Sequence, residues 1–377
     1  MPPTEIDRPL SLDHLRRLTD CLGIVQHANH ALPDYRSGYT TDDNARALVV
    51  TVRHHQLCPE RFSGSLSTRY LAFLLFAHRP DGRFHNFIGY DRRPLDNVGS
   101  EDCLGRALWA LAWVLIAPPL SGLVGPAEHM LHRALPWVSR LDHPRGRAIA
   151  ITALYLWMQA RPEEKGRAAE LTHSLATYLL DRYREHSRPG WDWLLPEMTY
   201  ANAKLPEALF RAYQITGHQQ FLAVARRTMD FLCAKTFAGD VLSLVGNHGW
   251  YSSGAQQPPR YDQQPIDAAA MVEAAIAGFD ATGEPDYLRR ASAALEWFFG
   301  RNARGLSLHD PETGGCFDAL TEAGLNQNRG AESAISLLLA QLAVLHARRR
   351  ESQTAAASRE AAAPGETGDS VTRGVPA

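Results

Sequence analysis

The chain has 377 residues, 45% of them hydrophobic, which is ample for one large core. Its 39 basic and 41 acidic side chains leave a net charge of −2, which excludes the basic footprint of a nucleic-acid partner. No apolar run reaches the roughly 18 residues that cross a bilayer, so membrane insertion is excluded as well.

The first predicted helix spans Leu12 to about His30, with Ser11 as N-cap and Asp13 in its first turn. A second runs from Asp42 to about Gln56, where Ala45, Leu48, Val49 and Val52 recur at helical spacing. Ser67–His78 follows, then a turn at Pro80–Arg83 and a short strand over Phe84–Tyr90. Cys103–Ile116 is apolar almost all round, as a helix buried between layers should be. Further helices alternate as outer and inner members of hairpins. The outer ones are Pro126–Leu141, Arg167–His186, Gln219–Thr236 and Asp286–Asn302. The inner ones are Arg147–Gln159, Pro206–Thr216, Ile266–Thr282 and Ala331–Ala347. Gly217, Gly283 and Gly300 stand where C-terminal caps belong. Residues 1–9 read as a flexible start, 10–348 as one domain, and the Ala/Ser/Glu/Gly/Pro-rich residues 349–377 as a disordered tail.

Each predicted inner helix opens from a short polar segment. The openings carry Asp43, Asp102, Gly146, Lys204, Asp267 and Glu332, whose residue numbers differ successively by 59, 44, 58, 63 and 65. A degenerate repeat of this length, with two helices per unit, predicts an all-α ring of six hairpins. All six openings would then lie at one end, and their polar residues would share one pocket. The long loops before several inner helices point to the same end, since such loops in compact domains usually serve function. Short β-hairpins are expected in them.

The acids at these openings are the first candidates for chemistry. Asp42 and Asp43 lie at a helix start with Arg46 a turn on; Glu101 and Asp102 repeat the pattern with Arg106. Such acids also suit the positive end of a helix, with Thr41 as cap and Arg46 paired to Asp42 or Asp43. As a facing pair they would suit glycosidic bond cleavage, which needs one protonated acid and one base or nucleophile. Trp191, Trp193 and Trp250 could stack on sugar rings, with Glu197 and Asp267 accepting hydroxyl protons. Lys204 could bind an anionic group, and His248 could exchange protons. Asn328 and Glu332 open the last inner helix as further ligands. No nucleotide loop, H-E-x-x-H, cysteine cluster or G-x-S-x-G occurs, so neither metal nor cofactor is expected. The five scattered cysteines form no C-x-x-C, and Met1–Leu10 lacks a signal-peptide pattern; both favour a cytoplasmic protein with reduced thiols.

The six-hairpin order, the polar openings and the Trp-rich loop resemble the (α/α)6 toroid superfamily. It includes six-hairpin glycosidases, some polysaccharide lyases and N-acylglucosamine 2-epimerase-like isomerases. More narrowly, Gly38-Tyr39-Thr40-Thr41-Asp42-Asp43-Asn44-Ala45-Arg46-Ala47, Tyr261-Asp262-Gln263-Gln264-Pro265 and Gly330-Ala331-Glu332-Ser333 resemble a bacterial family found beside or fused to glycosyltransferases. The resemblance implies a carbohydrate substrate and a functional association with a glycosyltransferase. Toroid hydrolases typically use carboxylates at the inner-helix openings and invert the anomeric carbon; toroid isomerases use histidines at the same end. Here carboxylates recur, and His143 is the only histidine directly at an opening. The expectation is therefore an inverting glycoside hydrolase. Asp43 is the first catalytic candidate, with Glu101 or Asp102 opposite. The substrate ligands would be Asp42, Arg46, Trp191, Trp193, Glu197, Lys204, His248, Trp250, Asp267, Asn328 and Glu332. A sugar isomerase and a non-catalytic glycan-binding partner are the alternatives.

Overall fold

A computed structural model describes residues 10–59 and 61–362. Six inner helices form the wall of a ring: α2 (Thr41–Leu57), α4 (Glu101–Ile116), α6 (Pro144–Ala160), α8 (Lys204–Thr216), α10 (Pro265–Thr282) and α12 (Ala331–Ala362). Six outer helices alternate with them: α1 (Asp13–Arg17), α3 (Arg61–Ala77), α5 (Val124–Ala134), α7 (Lys165–His186), α9 (Gln219–Thr236) and α11 (Pro285–Glu296). Each inner helix packs against the next, and α12 packs against α2, which closes the ring. The architecture is the (α/α)6 toroid.

The inner helices are buried on nearly every side, which explains their apolar composition. In α4 the buried residues run from Cys103 to Leu115, broken only at Arg106 and Trp113. Small residues let neighbouring helices approach closely. A Cβ on Gly105 would meet Ile149 at 3.0 Å, and one on Gly146 would meet Glu101 at 2.8 Å, so α4 and α6 pack backbone to backbone. Gly217 and Gly283 end α8 and α10 in the left-handed conformation, as expected.

Short antiparallel pairs decorate the loops. They are β1 (Ala28–Asn29) with β2 (Leu32–Pro33), β3 (Tyr39–Thr40) with β4 (Phe87–Ile88), β5 (Glu197–Met198) with β8 (Tyr251–Ser252), β6 (Phe237–Ala238) with β7 (Val241–Leu242), and β9 (Leu320–Thr321) with β10 (Gly324–Leu325). The β3–β4 and β5–β8 pairs join loops from different hairpins near the inner-helix openings.

Several elements differ from the sequence reading: α3 begins at Arg61 instead of Ser67, α5 ends at Ala134 and continues as a 3₁₀ helix over Leu135–Arg140, and the expected strand shrinks to Phe87–Ile88. The first outer helix stops at Arg17 instead of His30. The Thr19 hydroxyl bonds back to the Leu15 carbonyl, and Asp20 accepts the backbone N–H groups of Leu22 and Gly23, turning the chain away. Helix α11 ends at Glu296, and Asn302 holds the following turn by donating to the carbonyls of Trp297 and Leu306; Gly300 lies within that turn. Helix α12 continues through residues 349–362, the first part of the segment read as tail, where alanine favours helix. Residues 1–9 and 363–377 lie outside the described residues.

The loop before α10 is pinned by Gly246. Its N–H donates to the Pro259 carbonyl, and a Cβ there would fall 1.9 Å from the Tyr261 carbonyl oxygen. Gly246→Ala is expected to destabilise the protein by about 1–3 kcal/mol in denaturant unfolding, because backbone rather than a flexible side chain must yield. A wild-type midpoint would contradict this account of the loop.

Candidate functional site at the inner-helix openings

The N-termini of the inner helices surround an open cavity of about 750 Å³. Five carboxylates line it: Asp42 from α2, Glu101 and Asp102 from α4, Glu197 from the loop before α8, and Glu332 from α12. Arg106, His143, Arg145, Tyr200 and Asn247 line it too. Five of the six inner helices carry an acid in their first turn; α6 alone has none. The positive ends of the helix dipoles favour such acids.

Arginines connect neighbouring helices across these openings. Arg46 of α2 reaches Glu332 of α12 at 3.0 Å. Arg106 of α4 reaches Asp42 of α2 at 3.1 Å. Arg145 of α6 reaches Asp102 of α4 at 3.4 Å. In three successive junctions, the arginine of one inner helix holds the carboxylate of the helix before it. Sequence spacing favoured pairs within one helix. That holds for Arg46 with Asp43, at 2.7 Å, but Arg106 passes over Asp102 in its own helix for Asp42.

The cavity sorts the candidate acids. Asp43 is buried and does not line it. Its carboxylate takes the Arg46 guanidinium on one oxygen and the Thr40 hydroxyl, at 2.6 Å, on the other. Thr40, rather than Thr41, caps α2, with its oxygen accepting the Asp43 N–H. Burial raises the Asp43 pKa despite Arg46. Glu101 lines the cavity but accepts the backbone N–H groups of Asp142 and His143 at 2.7–2.9 Å. It therefore caps α6, the helix without a first-turn acid of its own. Asp102 keeps one oxygen toward Arg145 and the Tyr200 hydroxyl, the latter at 3.2 Å. Glu197 accepts from the Ser252 hydroxyl at 2.9 Å and has no cationic partner among the described residues. Asp42 accepts from the Asn86 amide on one oxygen and is ion-paired with Arg106 through the other.

The expected aromatic ligands lie elsewhere. Trp191 is buried, edge-on to Phe231 and Tyr251, with its indole N–H given to the Leu195 carbonyl. Trp193 is fully buried in the core. Trp250 and His248 are exposed on the loop that sends Asn247 to the cavity, and neither lines it. Large aromatics packed under the ring are thus core, and Tyr200 is the aromatic that reaches the cavity. One of its faces is covered by the Arg145 guanidinium, 3.7 Å from the ring centre. Asn328 joins the last loop to the first, accepting from the Ala28 N–H and donating to Asp318. Arg145 and Tyr200 escaped the sequence reading as site residues. The signal for Arg145 was its place in an opening that lacks an acid.

Below the mouth, Arg46, Lys204 and Trp109 line a narrow space on the ring axis. Lys204 is enclosed there. Its Nζ donates to Glu207 at 2.9 Å and to Glu273 at 2.5 Å, which raises its pKa although burial opposes this. It is therefore committed to two carboxylates rather than free for an anionic substrate group.

No protein-family model and no curated protein matches the chain. Solved structures match over nearly its whole length. A sugar epimerase from a ruminal bacterium superposes with a TM-score of 0.69 at 12% identity, covering 90% of this chain and 96% of its own. Cellobiose 2-epimerase from Spirochaeta thermophila DSM 6192 gives 0.68 at 16% identity, covering 92% and 96%. A GH76 α-mannanase from Bacteroides thetaiotaomicron gives 0.64 at 10% identity, covering 93% and 99%. The chain has their fold.

Asp267 is the most strongly perturbed acid near the openings. It is buried, accepts the Ala201 N–H at 2.7 Å on one oxygen, and has no hydrogen-bond partner on the other among the described residues. Burial raises its pKa to about 7. A folded-state value above the unfolded one means that ionising Asp267 opposes folding, so its destabilising effect develops as pH rises from about 4 to about 7. Asp267→Asn keeps the acceptor for Ala201 and removes the charge. Its stability relative to wild type should rise from pH 4 to pH 7, by a few kcal/mol at most. A difference independent of pH would contradict this assignment.

Proposed function

We propose that the protein is a carbohydrate-active enzyme, an inverting glycoside hydrolase acting on a neutral oligosaccharide at the mouth of the ring. The observation that carries this reading is one cavity whose carboxylates have sharply different partners. A general acid must hold a proton, which an adjacent arginine would oppose; a general base must stay ionised, which an arginine favours. Glu197, bonded to a neutral hydroxyl, fits the acid that protonates the leaving oxygen. Asp102, held by Arg145 and Tyr200 on one oxygen, fits the base that activates water with the other. Asp42 and Glu332 would accept hydroxyl protons of the bound sugar. Asp43 and Glu101, whose oxygens are engaged in holding the openings together, have structural roles in this reading.

The charge balance selects the substrate class. Five carboxylates line the mouth against two arginines, each already paired with an acid. A sugar rich in hydroxyls finds acceptors there. A uronate or sugar phosphate meets repulsion.

A sugar isomerase or epimerase is the second reading, favoured by His143 at the mouth and by the arginine pairing of the acids. Two of the fold relatives named above are epimerases. The histidine that would have joined it, His248, is outside the cavity lining.

The test is turnover of neutral oligosaccharides, followed as release of reducing ends. Asp102→Asn and Glu197→Gln should each lower kcat by about 10²–10⁴-fold without unfolding the protein. Glu197→Gln should lose much less on an aryl glycoside with a good leaving group, because protonation matters less there; Asp102→Asn should not recover. Interconversion of free sugars without cleavage would move the case to the isomerase reading. Binding without turnover would indicate a glycan-binding module.

A further inference from the structure

The ring encloses a second cavity at its other end. There the C-terminal halves of the inner helices surround about 300 Å³, separated from the mouth by Trp109 and the Lys204–Glu207–Glu273 cluster. The proposed hydrolysis makes no use of it.

Arg53, Arg211 and Arg350 line this cavity, together with Glu207, Glu273 and Asp280. The carboxylates are already engaged. Lys204 bonds both glutamates from the mouth side, and Asp280 takes Arg211 at 2.9 Å and Arg350 at 3.0 Å. With Lys204 included, four cations face three carboxylates. Arg53 has only a 3.4 Å contact to Glu273, and its side chain is 8% exposed.

Hydrogen-bond donors are left over as well. The Nε of Arg53, the Nε of Arg211 and the indole N–H of Trp113 are buried without an acceptor among the described residues, and all three residues line the cavity. Buried donors are nearly always paired, so three around one space describe a place for a ligand with several acceptors. The surplus positive charge favours an anion. Arginines near helix C-termini also complement the helix dipole. Arg53 and Arg211, however, lie a turn before their helix ends and direct their bonds to Glu273, Gln214 and Asp280 instead of to terminal carbonyls. His346 reports the same field: burial and then Arg53 lower its pKa to about 4.

We propose that this far cavity binds a small oxyanion, a phosphate or carboxylate group, between Arg53, Arg211 and Arg350 beside Trp113. Arginine suits either group because its planar fork donates two parallel bonds. The site is separate from the mouth and does not depend on the reaction proposed there.

The test is calorimetric titration of the intact protein with inorganic phosphate and, separately, acetate, against chloride at matched ionic strength. One saturable site per chain is expected for at least one oxyanion. Binding by phosphate alone, or by acetate as well, would tell which group the site takes. Arg350→Gln, a half-exposed change that spares the fold, and Trp113→Phe, which removes the donor while keeping an aromatic ring, should each weaken binding, Arg350→Gln by about tenfold. Indistinguishable titrations with oxyanion and chloride would overturn the proposal. So would binding that both variants leave unchanged and Arg145→Gln abolishes, which would place the anion at the mouth.

Discussion

The ring depends on how its inner helices meet at their N-termini. Arg46, Arg106 and Arg145 each reach back to a carboxylate of the preceding inner helix, so the junctions α12–α2, α2–α4 and α4–α6 are joined by charge as well as by packing. These side chains are largely shielded from solvent, apart from a half-exposed Glu332. Removing one partner of such a pair leaves a poorly solvated charge behind, which costs far more than loss of an exposed surface pair. The pairing also decides what the cavity can do. It places arginines against Asp42 and Asp102, whereas Glu197 takes a neutral hydroxyl from Ser252, with no cationic partner among the described residues.

The fold was largely legible because it is written in repetition. Helical periodicity located most helices to within a few residues, and polar openings with glycine or proline marked where the inner ones begin. The first outer helix was not legible, since its apolar spacing continues past Arg17 while Asp20 and Thr19 turn the chain through side-chain bonds. Closure of the ring was an inference from the number of hairpins, and contact of α12 with α2 realises it.

The site was legible by region and not by residue. Asp42 and Asp43 are adjacent, but about 100° apart around a helix, so one lines the cavity while the other packs beneath it. Periodicity marks an opening; it does not tell which acid turns inward. Tryptophans in a loop suggest sugar stacking, yet Trp191 and Trp193 bury large apolar surfaces that a ring of this size can use as core. Arg106 could not be assigned from spacing because its partner belongs to another helix. Lys204, alone among lysines at an opening, is held inward by Glu207 and Glu273, and Glu273 is 69 residues away in sequence.

The most direct test of the account is the structure of Glu197→Gln with a neutral oligosaccharide bound. The account predicts a sugar at the mouth, its glycosidic oxygen beside residue 197 and a water between the anomeric carbon and Asp102. In the protein with Glu197 restored, the two carboxyl groups should stand about 6.5–9.5 Å apart across that bond, as an inverting pair requires. A sugar bound elsewhere, or one whose reactive carbon faces His143 with Asp102 and Glu197 both out of reach, would contradict it.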